Sequence, residues 1–436
     1  MDGRTGNLSL ELPSVCDVAI VGAGAAGLAT AVFTRRLTPA RSVLLLESAN
    51  KPGAKILISG GGRCNVSNAV IADTDFWGGR KTIVRQILRA FPVRDTIAFF
   101  RELGIPLHEE ADGKLFPDSN RARDVLDGLL REAARTGSGL VSGCRVLDVT
   151  RETGGFRVST SRGALLATAV VLATGGCSLP KTGSDGAGLG IAERLGHTTV
   201  ATTPGLAPLI LLNDDGLHQE LSGVSHDVEL TLWVNGVADI RLTGALLWTH
   251  FGVSGPVVLN ASRHWARAVL EGQKVALTAN FCPGRRFEDI DARLTALAIE
   301  RPKASVQAAL STELPASVAA ALLSRLPIES DPVSQALAHL SRDRRRRLAH
   351  ALSEWTLPVS ATRGYNHAEV TAGGIALGEI DPFTMESRVC PGLFVVGEAL
   401  DVDGRIGGFN FQWAWASAFV AARGIDSRES GASRES

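Results

Sequence analysis

A short apolar segment that runs directly into closely spaced glycines constrains this chain more than any other feature. Residues 17–21 form a β-branched apolar run, which is typical of a buried strand. The glycine-rich segment 22–27 follows at once, and residues 28–37 then have the pattern of a helix. A second apolar run at 42–46 ends in Glu47. This order predicts a βαβ unit with parallel strands.

Each position of the glycine spacing Gly22-x-Gly24-x-x-Gly27 has a physical role. Gly22 permits a tight turn, Gly24 lets the backbone approach a pyrophosphate, and Gly27 lets the helix pack closely on the strand. The helix N-terminus adds unpaired N–H groups and partial positive charge. Glu47, 20 residues after Gly27, is placed to accept hydrogen bonds from ribose hydroxyls. Ser48 follows it rather than an arginine, so a dinucleotide without a 2′-phosphate is predicted.

Further glycine-containing strand ends indicate which dinucleotide binds. One strand ends in the segment 173–176, and another, near the C-terminus, ends in Gly397-Glu398. A chain that returns to its first domain for more contacts suits a long ligand, and FAD is such a ligand. Glu398 is then expected to bind the ribityl hydroxyls. The helix that begins near Asn410 would direct its N-terminus at the flavin and stabilise the charge of the reduced ring.

Composition and motif searches exclude several classes. Lysine and arginine total 45, as do aspartate and glutamate, so the net charge is zero and a polyanion-binding protein is not expected. The six cysteines form no C-x-x-C pair, which indicates reduced thiols in a cytoplasmic protein. The longest apolar stretch, 18–33, is shorter than the roughly 20 residues of a membrane helix. No metal-ligand spacing is present, so no metal site is predicted.

Changes of pattern along the chain predict one nucleotide-binding domain made from both ends of the sequence. Residues 228–234 alternate at period two and lead into Asn235-Gly236, a strong hairpin signal. Residues 287–353 are rich in alanine and leucine at helical spacing. The predicted division is a discontinuous FAD-binding domain at 14–201 and 361–425, a β-rich insert at 202–286, a helical subdomain at 287–360, and tails at 1–13 and 426–436.

Four motifs resemble a bacterial family of FAD-dependent oxidoreductases that includes aminoacetone oxidase and bile-acid-inducible flavoproteins. They are KPGAKILISGGGRCN at 51–65 and the segments 249–256, 368–375 and 397–416. The resemblance implies an α/β fold with a discontinuous Rossmann-like FAD-binding domain of the glutathione-reductase type. It also implies an inserted β-barrel-like domain and a small helical domain, which cover the flavin and help to form the substrate site.

The fingerprint, the later strand ends and the resemblance together predict a set of cofactor contacts. These are Gly22, Gly24, Ala26, Gly27, Glu47, Ser59, Gly61, Gly62, Arg63, Cys64, Asn65, Val146, Ala173, Thr174, Gly175, Gly397, Glu398, Asn410, Phe411, Gln412 and Trp413. For Arg63 the alternative is a pairing with a carboxylate, and for Cys64 it is structural packing.

The predicted function is a cytoplasmic FAD-dependent oxidoreductase that transfers hydride between flavin N5 and a small-molecule substrate or NAD(P)H. No second G-x-G-x-x-G unit exists, so any NAD(P)H is expected to dock transiently. The alternatives are a flavin-binding redox sensor or scaffold without turnover, and an NAD-dependent dehydrogenase. The chain is expected to be a monomer or homodimer.

Few residues stand out as catalytic candidates. His250, Tyr365 and His367 are the candidates for acid–base or substrate contacts, with structural roles as the alternative for each. The arginine-rich run at 342–347 is interpreted as a solvated helix face. Nucleic-acid binding is the lesser interpretation, because nothing aromatic interleaves the run.

Overall fold

The computed structural model describes residues 11–213, 215–326 and 336–432. The chain divides into two compact units. The first contains the residues up to Thr202 and those from Glu369 onward, and the second is Thr203–Ala368. The predicted tails fall partly outside the described residues, at 1–10 and 433–436.

Strands and helices alternate along both units. The chain first forms β1 (Val15–Val21), α1 (Ala25–Leu37), β2 (Val43–Leu46), α2 (Ala54–Ile58), β3 (Ser67–Asn68), β4 (Phe76–Gly78), α3 (Lys81–Ala90), α4 (Val93–Glu102), β5 (Leu107–Glu109), β6 (Lys114–Pro117), α5 (Ala122–Arg135), β7 (Gly139–Val141), β8 (Val146–Glu152), β9 (Gly155–Thr160), β10 (Gly163–Leu172), α6 (Ala187–Arg194) and β11 (Thr199–Gly205). The second unit continues with β12 (Leu209–Leu211), α7 (Leu217–Glu220), β13 (Ser225–Val234), β14 (Val237–Thr249), β15 (Gly252–Ser254), α8 (Pro256–Leu270), β16 (Val275–Asn280), α9 (Phe287–Glu300), α10 (Val306–Leu310), α11 (Ala316–Arg325), α12 (Arg342–Ser353), β17 (Trp355–Leu357) and β18 (Val359–Thr362). The chain then ends with β19 (Val370–Ile375), β20 (Leu393–Val395), β21 (Val402–Gly404) and α13 (Phe409–Ala432).

The first unit is built on a seven-stranded sheet with the order β7-β2-β1-β10-β9-β8, in which β20 also pairs with β10. β7, β2, β1, β10 and β20 run parallel, which confirms the predicted βαβ unit. Residues 163–167 of β10 pair antiparallel with β9, whereas residues 170–172 pair with β20. Val18, Ala19 and Ile20 of β1 are fully buried, as expected for a parallel sheet covered on both faces.

The second unit contains a seven-stranded antiparallel sheet with the order β17-β16-β13-β14-β15-β12-β18. Its two edge strands, β17 and β18, are separated in sequence by Pro358 alone. The sheet must therefore curl until its edges approach each other, which is the barrel-like arrangement expected. Asn235 and Gly236 have φ values of 52° and 82°, so the predicted hairpin turn between β13 and β14 uses the left-handed conformation that this dipeptide favours.

Three features differ from the sequence-based description. α8 lies inside the β-rich segment, because Pro256 starts a helix whose Val257, Val258 and Trp265 are buried. Residues 355–362 form strands rather than helix, and β18 pairs with β12, so the chain leaves the second unit at 369 rather than at 361. The final helix continues through the predicted tail from 426 to Ala432.

Tertiary contacts explain the length of the final helix. The Thr38 hydroxyl donates to the Asp426 carboxylate, and Arg428 pairs with Glu386. These contacts join distant parts of the sequence, so the local composition of the tail did not reveal them. No helix among the described residues combines the length and the apolar character that crossing a membrane requires.

Candidate functional site

Four parallel strands of the first unit end at the same level. Val21 of β1 is in register with Leu46 of β2 and with Leu172 of β10, and Leu172 is in register with Val395 of β20. The residues that follow these four positions therefore emerge at one edge of the sheet. Ligands of open α/β sheets bind outside such carboxyl ends. The structure thus brings together segments that lie more than 370 residues apart in sequence.

The fingerprint glycines are required for two different reasons. Gly22 has φ +103°, and a Cβ there would lie 2.5 Å from the Ala173 carbonyl oxygen. A Cβ on Gly27 would lie 2.0 Å from the Gly22 oxygen. Gly24 has φ −83°, and its Cβ would meet nothing within 4 Å. The packing of the protein therefore explains Gly22 and Gly27, whereas Gly24 leaves open space beside the backbone, as close approach of a phosphate requires.

The start of α1 and Glu47 provide the polar groups of the cradle. Gly24 is the N-cap of α1 and supplies no side-chain hydrogen bond, so the first N–H groups of the helix have no partner within it. The Glu47 carboxylate is only 7% exposed and accepts hydrogen bonds from the Ala23 and Ala49 N–H groups, each at 2.8 Å. These bonds fix the carboxylate. The oxygen bonded to Ala49 also accepts from the Ser48 hydroxyl at 3.3 Å, so the other oxygen keeps a lone pair for a ribose hydroxyl.

The glycine loop at 59–65 exposes main-chain groups. Gly60, Gly61 and Gly62 all have positive φ values, as does Cys64. A Cβ on Gly61 would meet nothing within 4 Å, so this part of the backbone also borders open space. The Ser59 hydroxyl donates to the Ile56 carbonyl at 2.7 Å and closes α2.

The side chains that end this loop are engaged within the protein. Arg63 pairs with Glu110 at 2.7 Å, and its guanidinium lies 4.0 Å from the centre of the Phe116 ring. The pairing with a carboxylate is therefore present, and contact with the cofactor stays a prediction. Cys64 is fully buried, and burial raises the pKa of its thiol to about 12, which keeps the thiol protonated. Asn65 is buried, and its amide faces main-chain groups of Ser67.

Gly397 and its neighbours form the C-terminal part of the site. Gly397 has φ +67°, its N–H donates to the Ser417 hydroxyl at 3.0 Å, and its carbonyl accepts from the Trp413 indole at 3.1 Å. A Cβ on Gly397 would lie 2.8 Å from the Cβ of Ala26 in the first turn of α1. The two predicted cofactor-binding segments are therefore in direct contact.

Glu398 lies at the centre of a polar network. One carboxylate oxygen pairs with the Lys55 ammonium at 2.5 Å. The other accepts from the Ser178 hydroxyl at 2.7 Å and from the Thr371 N–H at 3.0 Å. Lys55 also donates to the Ser178 hydroxyl at 2.5 Å. Four separate segments of the chain thus meet at one carboxylate that is predicted to bind the cofactor.

Lys55 and Ser178 contact Glu398 but were not among the predicted cofactor contacts. Lys55 lies inside the quoted motif at 51–65, which was the available signal, because a lysine in a cofactor loop needs an acidic partner. Ser178 carries no signal in the sequence. Gly183 was also missed, and a Cβ on it would lie 3.6 Å from a Glu47 carboxylate oxygen.

The first residues of α13 are held by hydrogen bonds within the protein. Asn410 accepts from the Gly404 N–H at 2.8 Å and donates to the Gly404 carbonyl at 2.9 Å. The Gln412 amide oxygen accepts from the Ser67 and Thr96 hydroxyls, and its nitrogen donates to the Phe91 carbonyl. The contacts of Asn410, Gln412 and Trp413 with the cofactor stay predictions.

The remaining predicted contacts occupy several environments. Phe411 is half-buried and stacks on Trp415, with ring centres 5.6 Å apart. Val146 is buried at the start of β8. Gly175 has φ +70°, and a Cβ there would lie 2.4 Å from the Ser184 hydroxyl. The Thr174 hydroxyl donates to the Gly175 carbonyl at 3.2 Å.

The three catalytic candidates lie in the second unit. The exposed His250 packs edge-on against Phe251, with ring centres 5.1 Å apart, and Arg363 lies over the same phenylalanine at 4.3 Å. Tyr365 and His367 belong to one short 3₁₀ turn. None of these contacts assigns a chemical role, so all three stay predictions.

Comparison with known proteins identifies the family. Residues 16–424 match the HI0933-like protein Rossmann domain. The chain belongs to this family. It is 31% identical to the 3-dehydro-bile acid delta(4,6)-reductase of Clostridium scindens over 94% of this chain and 99% of that protein. It is 33% identical to the ribosomal RNA dihydrouridine synthase of Escherichia coli over 94% of this chain and 98% of that protein.

The predicted family and the predicted fold class are therefore confirmed. A member of this family is an FAD-dependent oxidoreductase, so the predicted enzyme class is also confirmed. Among solved structures, Escherichia coli quinol fumarate reductase aligns with 96% of this chain and 71% of its own, with 16% identity and a TM-score of 0.49.

Proposed function

We propose that the chain reduces a carbon–carbon double bond conjugated to a carbonyl group, with bound FAD and with NAD(P)H as the source of electrons. Per turnover, NAD(P)H loses a hydride, and the double bond gains that hydride and one proton. FAD, when bound, supplies the two-electron chemistry that side chains lack. The in-register ends of the four strands, with the open space that follows β1 at Gly24, support the cofactor part of the proposal, and the names of two relatives support the reaction.

The residues of the first unit fit the parts of FAD. The α1 N-terminus, which carries no side-chain cap, suits the diphosphate because its N–H groups and helix dipole favour negative charge. Glu47 suits the adenosine ribose, and its anchoring by two N–H groups fixes the direction of its lone pairs. Glu398 retains acceptor capacity for ribityl hydroxyls beside its three observed donors.

The start of α13 suits the electron-rich part of the cofactor. Its first N–H groups have no partner within the helix, and the helix dipole places partial positive charge there. The bonds made by Asn410 and Gln412 hold this terminus rigidly, so little reorganisation accompanies charge development.

The substrate class is drawn from the two relatives. Their names describe one kind of reaction on different molecules: a delta(4,6)-reductase removes double bonds from a 3-dehydro-bile acid, and a dihydrouridine synthase saturates a uridine ring. In both cases the double bond is conjugated to a carbonyl group, which makes it a hydride acceptor. A cyclic conjugated carbonyl compound is therefore the proposed substrate class for this chain.

The test is anaerobic reduction followed by reoxidation. Purified protein is reduced with NADH or NADPH, and flavin absorbance is followed as a steroid 4,6-dien-3-one or a uridine-containing RNA is added. Reoxidation by either compound, with a saturated product, supports the proposal. If oxygen alone reoxidises the flavin, the chain is an oxidase and the proposal is wrong.

A matched pair of variants tests the cradle in the same assay. Gly24 and Gly378 both lack a positive φ, and a Cβ on either would meet nothing within 4 Å. Gly24→Val should fold but lose flavin, because the side chain would occupy the phosphate path. Gly378→Val should fold and keep a full flavin complement.

A further inference from the structure

The first two turns of α12 carry a concentration of positive charge that helix stability does not explain. Five of its first six residues are arginines, at 342 and 344–347. Positive side chains near a helix N-terminus oppose the helix dipole, and like charges four residues apart, as at Arg342 and Arg346, repel each other. The buried residues of α12 are Leu348, Ala349 and Leu352, and no arginine is among them. The repulsion between the arginines costs free energy that nearby carboxylates or a bound anion would offset.

One of these arginines has a structural role. Arg345 pairs with Asp291 of α9 through its Nε at 2.8 Å, and both side chains are about one-fifth exposed. The hydrogen bond from Arg345 lowers the pKa of Asp291, although burial opposes this. Arg342, Arg346 and Arg347 are exposed on the same helix. Arg345 therefore accounts for the packing of α12 on α9, and the charges of Arg342 and Arg346 add a weaker attraction to the same carboxylate.

The fold supplies aromatic rings beside these arginines. The Arg346 guanidinium lies 5.0 Å from the centre of the Phe287 ring, at the start of α9. The same ring lies 4.7 Å from that of the exposed His350, at 44°. The sequence disfavoured nucleic-acid binding because no aromatic residue interleaves the arginine run. Phe287 is 59 residues away from Arg346 in sequence but adjacent to it in the structure.

Acidic residues reduce the charge here without cancelling it. The described segments 286–291 and 341–350 contain six arginines and four carboxylates. Of these carboxylates, Asp291 is paired with Arg345, and Asp289 accepts the Arg286 N–H at 2.9 Å. Glu288 and Asp343 are exposed. The local surplus is positive although the whole chain is neutral.

We propose that this surface, formed by Phe287, Arg342, Arg346, Arg347 and His350 and called here the α12 surface, binds a single-stranded segment of RNA. The arginines contact phosphates, and the half-buried Phe287 ring with His350 offers a platform for an unpaired base. The preference for RNA among polyanions rests on the uridine substrate considered under the proposed function. Binding at the α12 surface is separate from catalysis and is measured without it.

The experiment uses the full chain with its flavin. Fluorescence anisotropy measures binding of a labelled RNA hairpin with a single-stranded loop, over a range of salt concentrations. The test variant is Arg342→Gln/Arg346→Gln/Arg347→Gln, which keeps the Arg345 pair. The control variant, Arg94→Gln/Arg121→Gln/Arg123→Gln, removes the same charge from exposed positions of the first unit. Phe287→Leu tests the ring alone.

The test variant should bind RNA at least about tenfold more weakly, with a salt slope lower by about two, because three phosphate contacts are lost. The control variant should bind like the parent chain, and flavin reduction by NAD(P)H should be unchanged in both. Phe287→Leu should weaken binding to the loop but not to a fully paired duplex.

Three results would overturn the proposal: no RNA binding at low salt, equal losses in both triple variants, or equally tight binding of anionic phosphatidylglycerol vesicles. If RNA binds as expected but uridine is not reduced, the α12 surface stands and uridine is excluded as the substrate. If a steroid dienone is reduced and no RNA binds, the α12 proposal fails alone.

Discussion

Gly397 is packed so closely against Ala26 that a Cβ on Gly397 would lie 2.8 Å from the Cβ of Ala26. The two residues are separated by most of the chain, yet one opens the C-terminal cofactor segment and the other lies in the first turn of α1. Helix α1, which contains Ala26, also packs against α13, which follows Gly397. The predicted cofactor cradle is therefore formed by an N-terminal and a C-terminal segment of the first unit, which are in direct contact.

Gly397→Ala should lower the free energy of unfolding by about 1–3 kcal/mol, from the contact with Ala26 and from the φ of +67°. Urea denaturation measures this. In a double-mutant cycle with Ala26→Gly, the combined loss should be smaller than the sum of the single losses, because the contact is relieved. Strict additivity would contradict the observed packing.

Lys55→Met should weaken FAD binding and lower the stability of the flavin-free protein by about 1–3 kcal/mol, because the Glu398 carboxylate loses its charged donor. The exposed Lys51, in the same loop, provides the control Lys51→Met. Adding Glu398→Gln to Lys55→Met should lower the stability of the flavin-free protein little further. If the double variant loses as much stability as the two single variants together, the ion pair has no role.

Glu47→Gln should reduce FAD affinity by about 1–3 kcal/mol, roughly five- to 150-fold, through lost charged hydrogen bonds to ribose. FAD titration followed by flavin fluorescence measures the dissociation constant. Glu152→Gln, at an exposed position of β8, is the control. If Glu47→Gln binds FAD as the parent chain does, this carboxylate does not bind the ribose.

The lowered pKa of Glu132 predicts that the stability of the protein depends on pH. Hydrogen bonds from Arg135 lower its pKa to about 2 against burial, which acts in the opposite direction, with Arg36 contributing as well. A carboxyl group whose pKa is lowered by folding stabilises the protein at any pH above the pKa of that group in the unfolded chain, about 4.5. This stabilisation is lost as the pH falls towards 2. The melting temperature of Glu132→Gln should be below that of the parent chain at neutral pH. The difference should shrink between pH 4.5 and 2, and a constant difference would contradict the assignment.

Local patterns predicted the parts of this structure that depend on neighbouring residues. The strand, glycine turn and helix at 17–37 were predictable because each glycine has a backbone or packing requirement within a few residues. The position of Glu47 was predictable because this residue directly follows β2, the second strand of the βαβ unit. The start of α8 was signalled by Gly255-Pro256, but the apolar residues around it gave no clear period.

Long-range pairings were beyond what the sequence could supply. Glu398 is paired with Lys55, 343 residues away, and the Gln412 amide is hydrogen-bonded to three distant groups. The Phe287 ring beside Arg346 depends in the same way on the packing of α9 against α12. Side-chain roles at a site assembled from several segments therefore follow only from the fold.

The most direct test of the account is a crystal structure of the chain with FAD bound. We predict one FAD molecule whose diphosphate lies against the main chain of Gly24 and whose ribityl or ring atoms contact the segment that begins at Gly397. An FAD molecule that contacts only the N-terminal segment, or crystals of a protein that takes up no FAD, would contradict a cofactor held between the two ends of the first unit.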